Sequence, residues 1–148
     1  MPETRHIMLA DDDEDDITLF RDVLDEIGLP VQLTVVHNGE QLMERLLDGA
    51  SALPDILFLD LNMPRKNGLV CLPEIKNNGK LSHFPVILYS TSLDADMIDL
   101  LWKKGASYYI RKPNEYNRFK KVIELALTLT AKADILNPAR ENFVLSVN

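Results

Sequence analysis

The chain has 148 residues, 46% hydrophobic and 26% charged, which fits one domain with a buried core and excludes a mainly disordered chain. Sixteen Lys and Arg against 23 Asp and Glu leave a net charge of -7, which opposes the counterion-release attraction behind non-specific nucleic-acid binding. Cys71 is the only cysteine, excluding an intrachain disulfide or a Cys-based zinc finger, and no run approaches the ~20 apolar residues of a membrane helix, so a soluble cytoplasmic protein is expected.

Five short apolar runs are strand-sized: 6–10, 31–36, 55–59, 86–89 and 107–110. After the first comes an acidic run, 11–16, and then a helix whose Ile17, Phe20, Leu24 and Ile27 form one face, stopped by Gly28, Leu29 and Pro30. The second strand leads to a helix opened by Asn38 as a cap, with Gln41 in the capping-box position and Leu42, Leu46 and Leu47 pointing inward. Third, fourth and fifth helices are expected over 67–78, 94–104 and 115–133, with Pro73 bending the third and Gly105 ending the fourth. The fourth carries more apolar residues than one core stripe needs, namely Met97, Ile98, Leu100, Leu101 and Trp102. Residues 134–148 read as a C-terminal tail, because Asn137 and Pro138 break the helix and residues 143–145 are too few for a domain. Strands alternating with helices five times over imply a mostly parallel sheet with helices on both faces.

Ligands of open α/β sheets sit beyond the carboxyl ends of the strands, so the residues that follow each apolar run carry the most information. These are Asp11 and Asp12 after the first strand, Asp60 and Asn62 after the third, Ser90 after the fourth and Lys112 after the fifth. If strands one and three are neighbours, three carboxylates meet in one cleft and cannot all ionise without a cation. A hard, oxygen-seeking Mg²⁺ resolves that repulsion. Lys112 adds positive charge and Ser90 a hydroxyl, which together describe phosphoryl transfer to a carboxylate, with Asp60 as nucleophile. Duller readings apply elsewhere: Asp13, Glu14, Asp15 and Asp16 suit a helix N-terminus through the macrodipole. His6, His37 and His83 lack metal-ligand spacing, and Cys71 reads as a small core residue. A phosphatase of the haloacid dehalogenase kind needs an acid two residues after its nucleophile, where Asn62 stands. A flavodoxin-like cofactor binder needs a small hydroxyl and Gly loop, where the acidic run would repel a phosphate.

Five ordered motifs carry a family resemblance across residues 5–133: the strand ending in Ala10, Asp11, Asp12 and Asp13; Asp60 followed by Leu61, Asn62, Met63 and Pro64; Asn67 with Gly68; Ser90 with Thr91 and Ser92; and Ile110 to Lys112 before Pro113. The chain resembles the receiver domains of two-component response regulators, and within them the stand-alone receivers that partner cyanobacterial phytochromes. That resemblance implies a flavodoxin-like, doubly wound, five-stranded parallel sheet in the order 2-1-3-4-5 with five helices. It implies a receiver domain over 1–133 and a tail over 134–148. It further implies a phosphoryl group accepted on Asp60 from a sensor histidine kinase, and signalling through phosphorylation-dependent binding of a downstream protein rather than turnover as an enzyme. Asp12, Asp60 and the carbonyl of Asn62 would ligate Mg²⁺, Asp11 acting through water. Lys112 would pair with the phosphoryl oxygens, with the bond to Pro113 cis. Ser90 and Tyr109 would form the switch, Tyr109 swinging inward. A homodimer is expected, the alternative being a tail that covers the surplus apolar surface in cis.

Overall fold

Each of the five longer strands is followed by a helix that can bury only one stripe, so the strands must gather into a sheet that both sets of helices cover. A computed structural model shows that arrangement and describes residues 4–92, 94–131 and 137–146. In order they form β1 (Arg5–Ala10), α1 (Glu14–Ile27), β2 (Val31–Val36), α2 (Gly39–Leu47), β3 (Ile56–Asp60), α3 (Gly68–Lys76), β4 (Val86–Ser90), α4 (Ala95–Lys103), β5 (Tyr108–Arg111) and α5 (Tyr116–Thr130). A single 3-10 turn (Arg140–Asn142) and β6 (Val144–Leu145) follow. The sheet runs β2-β1-β3-β4-β5-β6, parallel throughout. The flavodoxin-like order is as expected, but the sheet has six strands rather than five. The expected end of the fifth helix at 133 and the expected start of the tail at 134 fall within residues 132–136, outside those described, and α5 is described as far as Thr130.

Side chains alternate across the sheet and divide the core in two. Met8, Ala10, Leu57, Leu59, Val86, Leu88 and Tyr109 pack toward α2, α3 and α4. Ile7, Leu9, Ile56, Phe58, Ile87, Tyr89, Tyr108 and Ile110 pack toward α1 and α5. Leu127 of α5 belongs to this second core, 2% exposed. Arg5 ties the two ends of that layer together, its guanidinium donating to the Leu127 carbonyl at 2.9 Å and to Thr130 Oγ1 at 3.0 Å.

Local chemistry sets the helix starts. Asp13 caps α1, its Oδ1 accepting from the amides of Asp15 (2.9 Å) and Asp16 (3.2 Å). Gly28 closes the same helix with φ +73°, a left-handed turn that costs glycine little. Asn38 caps α2 through the Gln41 amide at 2.9 Å. Gln41 reaches back one residue further than a regular capping box, to the amide of His37 at 2.8 Å.

The sixth strand comes from the stretch read as a tail. Phe143 is fully buried, its carbonyl accepts from the Tyr109 amide at 3.0 Å, and Val144 and Leu145 pair with Tyr109 and Ile110. On the way there the segment crosses α4. The Pro138 carbonyl accepts from Trp102 Nε1 at 2.8 Å and Arg140 pairs with Asp99 at 2.5 Å. Residues 137–146 therefore cover part of the surplus apolar surface of α4 in cis, and Leu100 of that helix stays 38% exposed.

Candidate functional site

Period-two alternation, carried to the end of β3 and one residue past the ends of β1 and β5, brings the polar groups together. Asp11 continues the β1 row of Ile7 and Leu9, Asp60 the β3 row of Ile56 and Phe58, and Lys112 the β5 row of Tyr108 and Ile110. All three therefore stand on one side of the carboxyl edge. Oxygens of Asp11, Asp12 and Asp60 lie within 4.8 Å of one another. Asp11 and Asp60 are buried, 0% and 4% exposed, whereas Asp12 faces solvent.

Lys112 reaches into this cluster, its Nζ 3.3 Å from Asp60, 3.5 Å from Asp11 and 2.8 Å from Asp16. Burial works against its charge, but the bond to Asp16 and the carboxylates of Asp60 and Asp11 outweigh that and hold its pKa above the ordinary lysine value. The expected cis Lys112–Pro113 bond is not found: that peptide is trans. The amide of Lys112 donates to the Ser90 carbonyl at 2.8 Å, so the β5 ladder runs on to residue 112 and alternation alone aims the ammonium inward. The trans form, favoured for X–Pro by about 0.5–1 kcal/mol, is then sufficient.

Asp60 ends β3. Burial pushes its carboxyl up to about 6, Asp11 adding to the rise, while the amide of Asn62 and the ammonium of Lys112 pull it down. That amide donates to Asp60 Oδ1 at 3.0 Å, which turns the chain at 62 and leaves the exposed Asn62 beside the acceptor. Ser90 is buried, its Oγ accepting from the amide of Ser92 at 3.2 Å and from Asn62 Nδ2 at 3.4 Å. Tyr109, 1% exposed, already points inward and donates to the Ser92 carbonyl at 2.5 Å. The loop after Ser90 and the β5 aromatic are thus directly joined. Beside Lys112, a groove of about 810 Å³ opens between the end of β5, the start of α5 and β6, with Arg111, Arg118 and Ser146 on its walls.

Two residues of the site were not singled out by sequence. Asp16, read only as a helix-start acid, makes the shortest contact to Lys112. Tyr89 donates its hydroxyl to Asp11 Oδ2 and lays its ring under Lys112, with Nζ 4.4 Å from the centroid. The signal for Tyr89 lay in its row: it precedes Ser90 and has the same parity as the pocket acids. Elsewhere the duller readings stand. Cys71 is buried, which pushes its thiol up to about 11, and among the described residues His37 meets only an exposed acid, Glu14, as an ion-pair partner at 3.3 Å.

A trio of hard carboxylate oxygens next to a carbonyl-bearing turn suits a divalent cation of the Mg²⁺ type, since nothing softer than oxygen is offered. With Asp60 buried and the ammonium at hand, the cluster can present a carboxylate nucleophile and offset the charge of an incoming anion.

The description "response regulator receiver domain" matches residues 7–124 of this sequence. The response regulator Rcp1 of Synechocystis sp. is 28% identical over 122 residues, spanning 80% of this chain and 83% of Rcp1. Among solved structures, the phosphorylated cyanobacterial phytochrome response regulator RcpA superposes with a TM-score of 0.80 at 28% identity, covering 88% of this chain and 96% of RcpA. A Mn²⁺-bound form of Rcp1 gives a TM-score of 0.79 at 26% identity, covering 91% and 99%.

Proposed function

This chain belongs to the family of response regulator receiver domains, and on that premise we propose that Asp60 accepts a phosphoryl group from the phosphohistidine of a sensor histidine kinase, one of the phytochrome-like kind. The observation that carries the reading is a buried Asp60 whose carboxylate lies within 4.8 Å of the other two acids and 3.3 Å from the Lys112 ammonium. In the transfer an Asp60 oxygen bonds to phosphorus as the P–N bond opens, the electron pair passing to the imidazole nitrogen. Asp12, Asp60 and the Asn62 carbonyl, with Asp11, would hold Mg²⁺, which when bound offsets charge on the transferring group.

Lys112 supplies the protein's own share of that offset, and its bond to Asp16 keeps the ammonium aimed. The Ser90 hydroxyl accepts from Asn62 and Ser92, and a phosphoryl group on Asp60 would give its own proton an acceptor and draw the side chain away from those two donors. Because Tyr109 holds the Ser92 carbonyl, the change would pass to β5, and from there to the segment paired with it. The receiver unit in this reading spans 1–133, and 134–148 is an appended segment whose β6 seals the β5 edge. Output would be phosphorylation-dependent binding of a downstream protein in the cytoplasm, with a homodimer as one assembly that the α4–β5–α5 face could form.

Intact-mass spectrometry after incubation with acetyl phosphate and Mg²⁺ tests the assignment. One phosphoryl group is expected on the wild-type chain and none on Asp60→Asn; label on the variant places the acceptor elsewhere.

A further inference from the structure

Phosphoryl acceptance does not call for a phenol in the floor of the pocket. An aliphatic side chain fills the same face at Ile87, two residues earlier on β4. Tyr89 is 3% exposed and directs its hydroxyl to Asp11. Register explains how. Tyr89 stands opposite Asp60 in the β3–β4 pairing and in the side-chain row that Asp11 continues. The ring therefore runs beneath the pocket and ends at the carboxylate. Its face lies under Lys112 Nζ, so one residue touches both the acid and the ammonium that flank Asp60.

Asp11 is completely buried, and a buried carboxylate must find its compensation in donors or in a cation. Its Oδ1 accepts from the Asp13 amide at 3.0 Å. Its Oδ2 has the Tyr89 O–H and, at 3.5 Å, the Lys112 ammonium, a separation at which a charge is felt but a hydrogen bond is weak. The phenol is then the chief donor to Oδ2. An oxygen already engaged in this way has less to gain from an arriving divalent ion.

We propose that Tyr89 is a positioning residue that acts through Asp11: its hydroxyl steadies that carboxylate in the cation-free state and so lowers the affinity of the pocket for its divalent cation. The inference rests on the reading of Asp11, Asp12 and Asp60 as a cation site. It gives the pocket an ion that exchanges readily, held by three acids of which one is partly satisfied beforehand.

Calorimetric titration of the full chain with Mg²⁺, and with Mn²⁺ as a second probe, tests this. Tyr89→Phe keeps the ring under Lys112 and removes only the donor. Losing that donor raises the free energy of the cation-free state more than that of the loaded state, so the dissociation constant is expected to fall by about three- to tenfold. In an Asp11→Asn background the same substitution should change the affinity by less than about twofold, because the coupling runs through that carboxylate. Thermal unfolding supplies the second measurement: Tyr89→Phe should melt lower than wild type without metal, and Mg²⁺ should close most of that gap. A residue that merely fills space would lower both midpoints equally. Unchanged or weaker binding by Tyr89→Phe, or a gain that survives in Asp11→Asn, overturns the inference while the cation reading stands. Wild-type protein that binds neither ion overturns both.

Discussion

Replacing Asp60 with Asn should make the metal-free protein more stable, although it removes the group on which the proposed function depends. In the unfolded chain the carboxyl has its ordinary value of 3.8, and in the fold burial pushes it up to about 6. The folded state thus holds this proton more tightly. Stability contributed by Asp60 is lost as pH rises through the window between those two values, and the cost is complete above it. A rise of roughly two units corresponds to about 3 kcal/mol at pH 8 and roughly half of that at pH 5. Asn has nearly the same shape and does not ionise, so it avoids the cost. Some of the gain is returned because Lys112 loses one of its acids, though Asp16 and Asp11 remain within reach. A net stabilisation of about 1–3 kcal/mol at pH 8 should raise the midpoint by roughly 2–12 °C in a chain of this size. Thermal unfolding followed by circular dichroism, with chelator and then with Mg²⁺, at pH 8 and pH 5, measures it. The difference should shrink at pH 5, and should shrink again with Mg²⁺, which relieves the wild-type repulsion. A variant no more stable than wild type in chelator at pH 8, or an advantage that grows on acidification, refutes the electrostatic account.

Adjacent acids should separate cleanly. Asp13→Ala removes the α1 cap and should cost about 0.5–2 kcal/mol in denaturant unfolding while leaving the Mg²⁺ affinity near wild type; Asp12→Ala should do the reverse, weakening calorimetric Mg²⁺ binding about tenfold or more by taking a charge from the ligand set. Phe143→Ala should cost about 3–5 kcal/mol, as a fully buried ring does in a core. A loss below about 1 kcal/mol in urea unfolding would mean that the 137–146 segment is only loosely seated.

Much of this was legible because it is periodic or clustered. The five longer strands announce themselves as apolar runs, and their ends carry the acids and the lysine, so the parallel order alone brings Asp11, Asp12, Asp60 and Lys112 to one edge. β6 has two residues, too few for any period, and forms because Phe143 can be buried beside Tyr109, a contact that depends on where β5 lies in space. Asp16 was hidden among neighbours of the same charge: which acid of a helical turn faces a lysine nearly a hundred positions away is settled by the rotation of α1. Tyr89 was hidden for another reason. All five residues of β4 are buried, so the alternation that marks a half-exposed strand is missing, and only the three-dimensional reach of a phenol discloses its link to Asp11.

The chain has one tryptophan, and its indole N–H is bonded to the backbone of Pro138 rather than to anything in the acidic pocket. Its emission is accordingly a reporter of whether the C-terminal segment is seated on α4. A change in that signal on adding a phosphodonor would register movement transmitted through Tyr109 and Phe143, whereas cation occupancy alone should leave it nearly silent. The protein carries an intrinsic optical probe at the far end of its proposed switch, where no label has to be introduced.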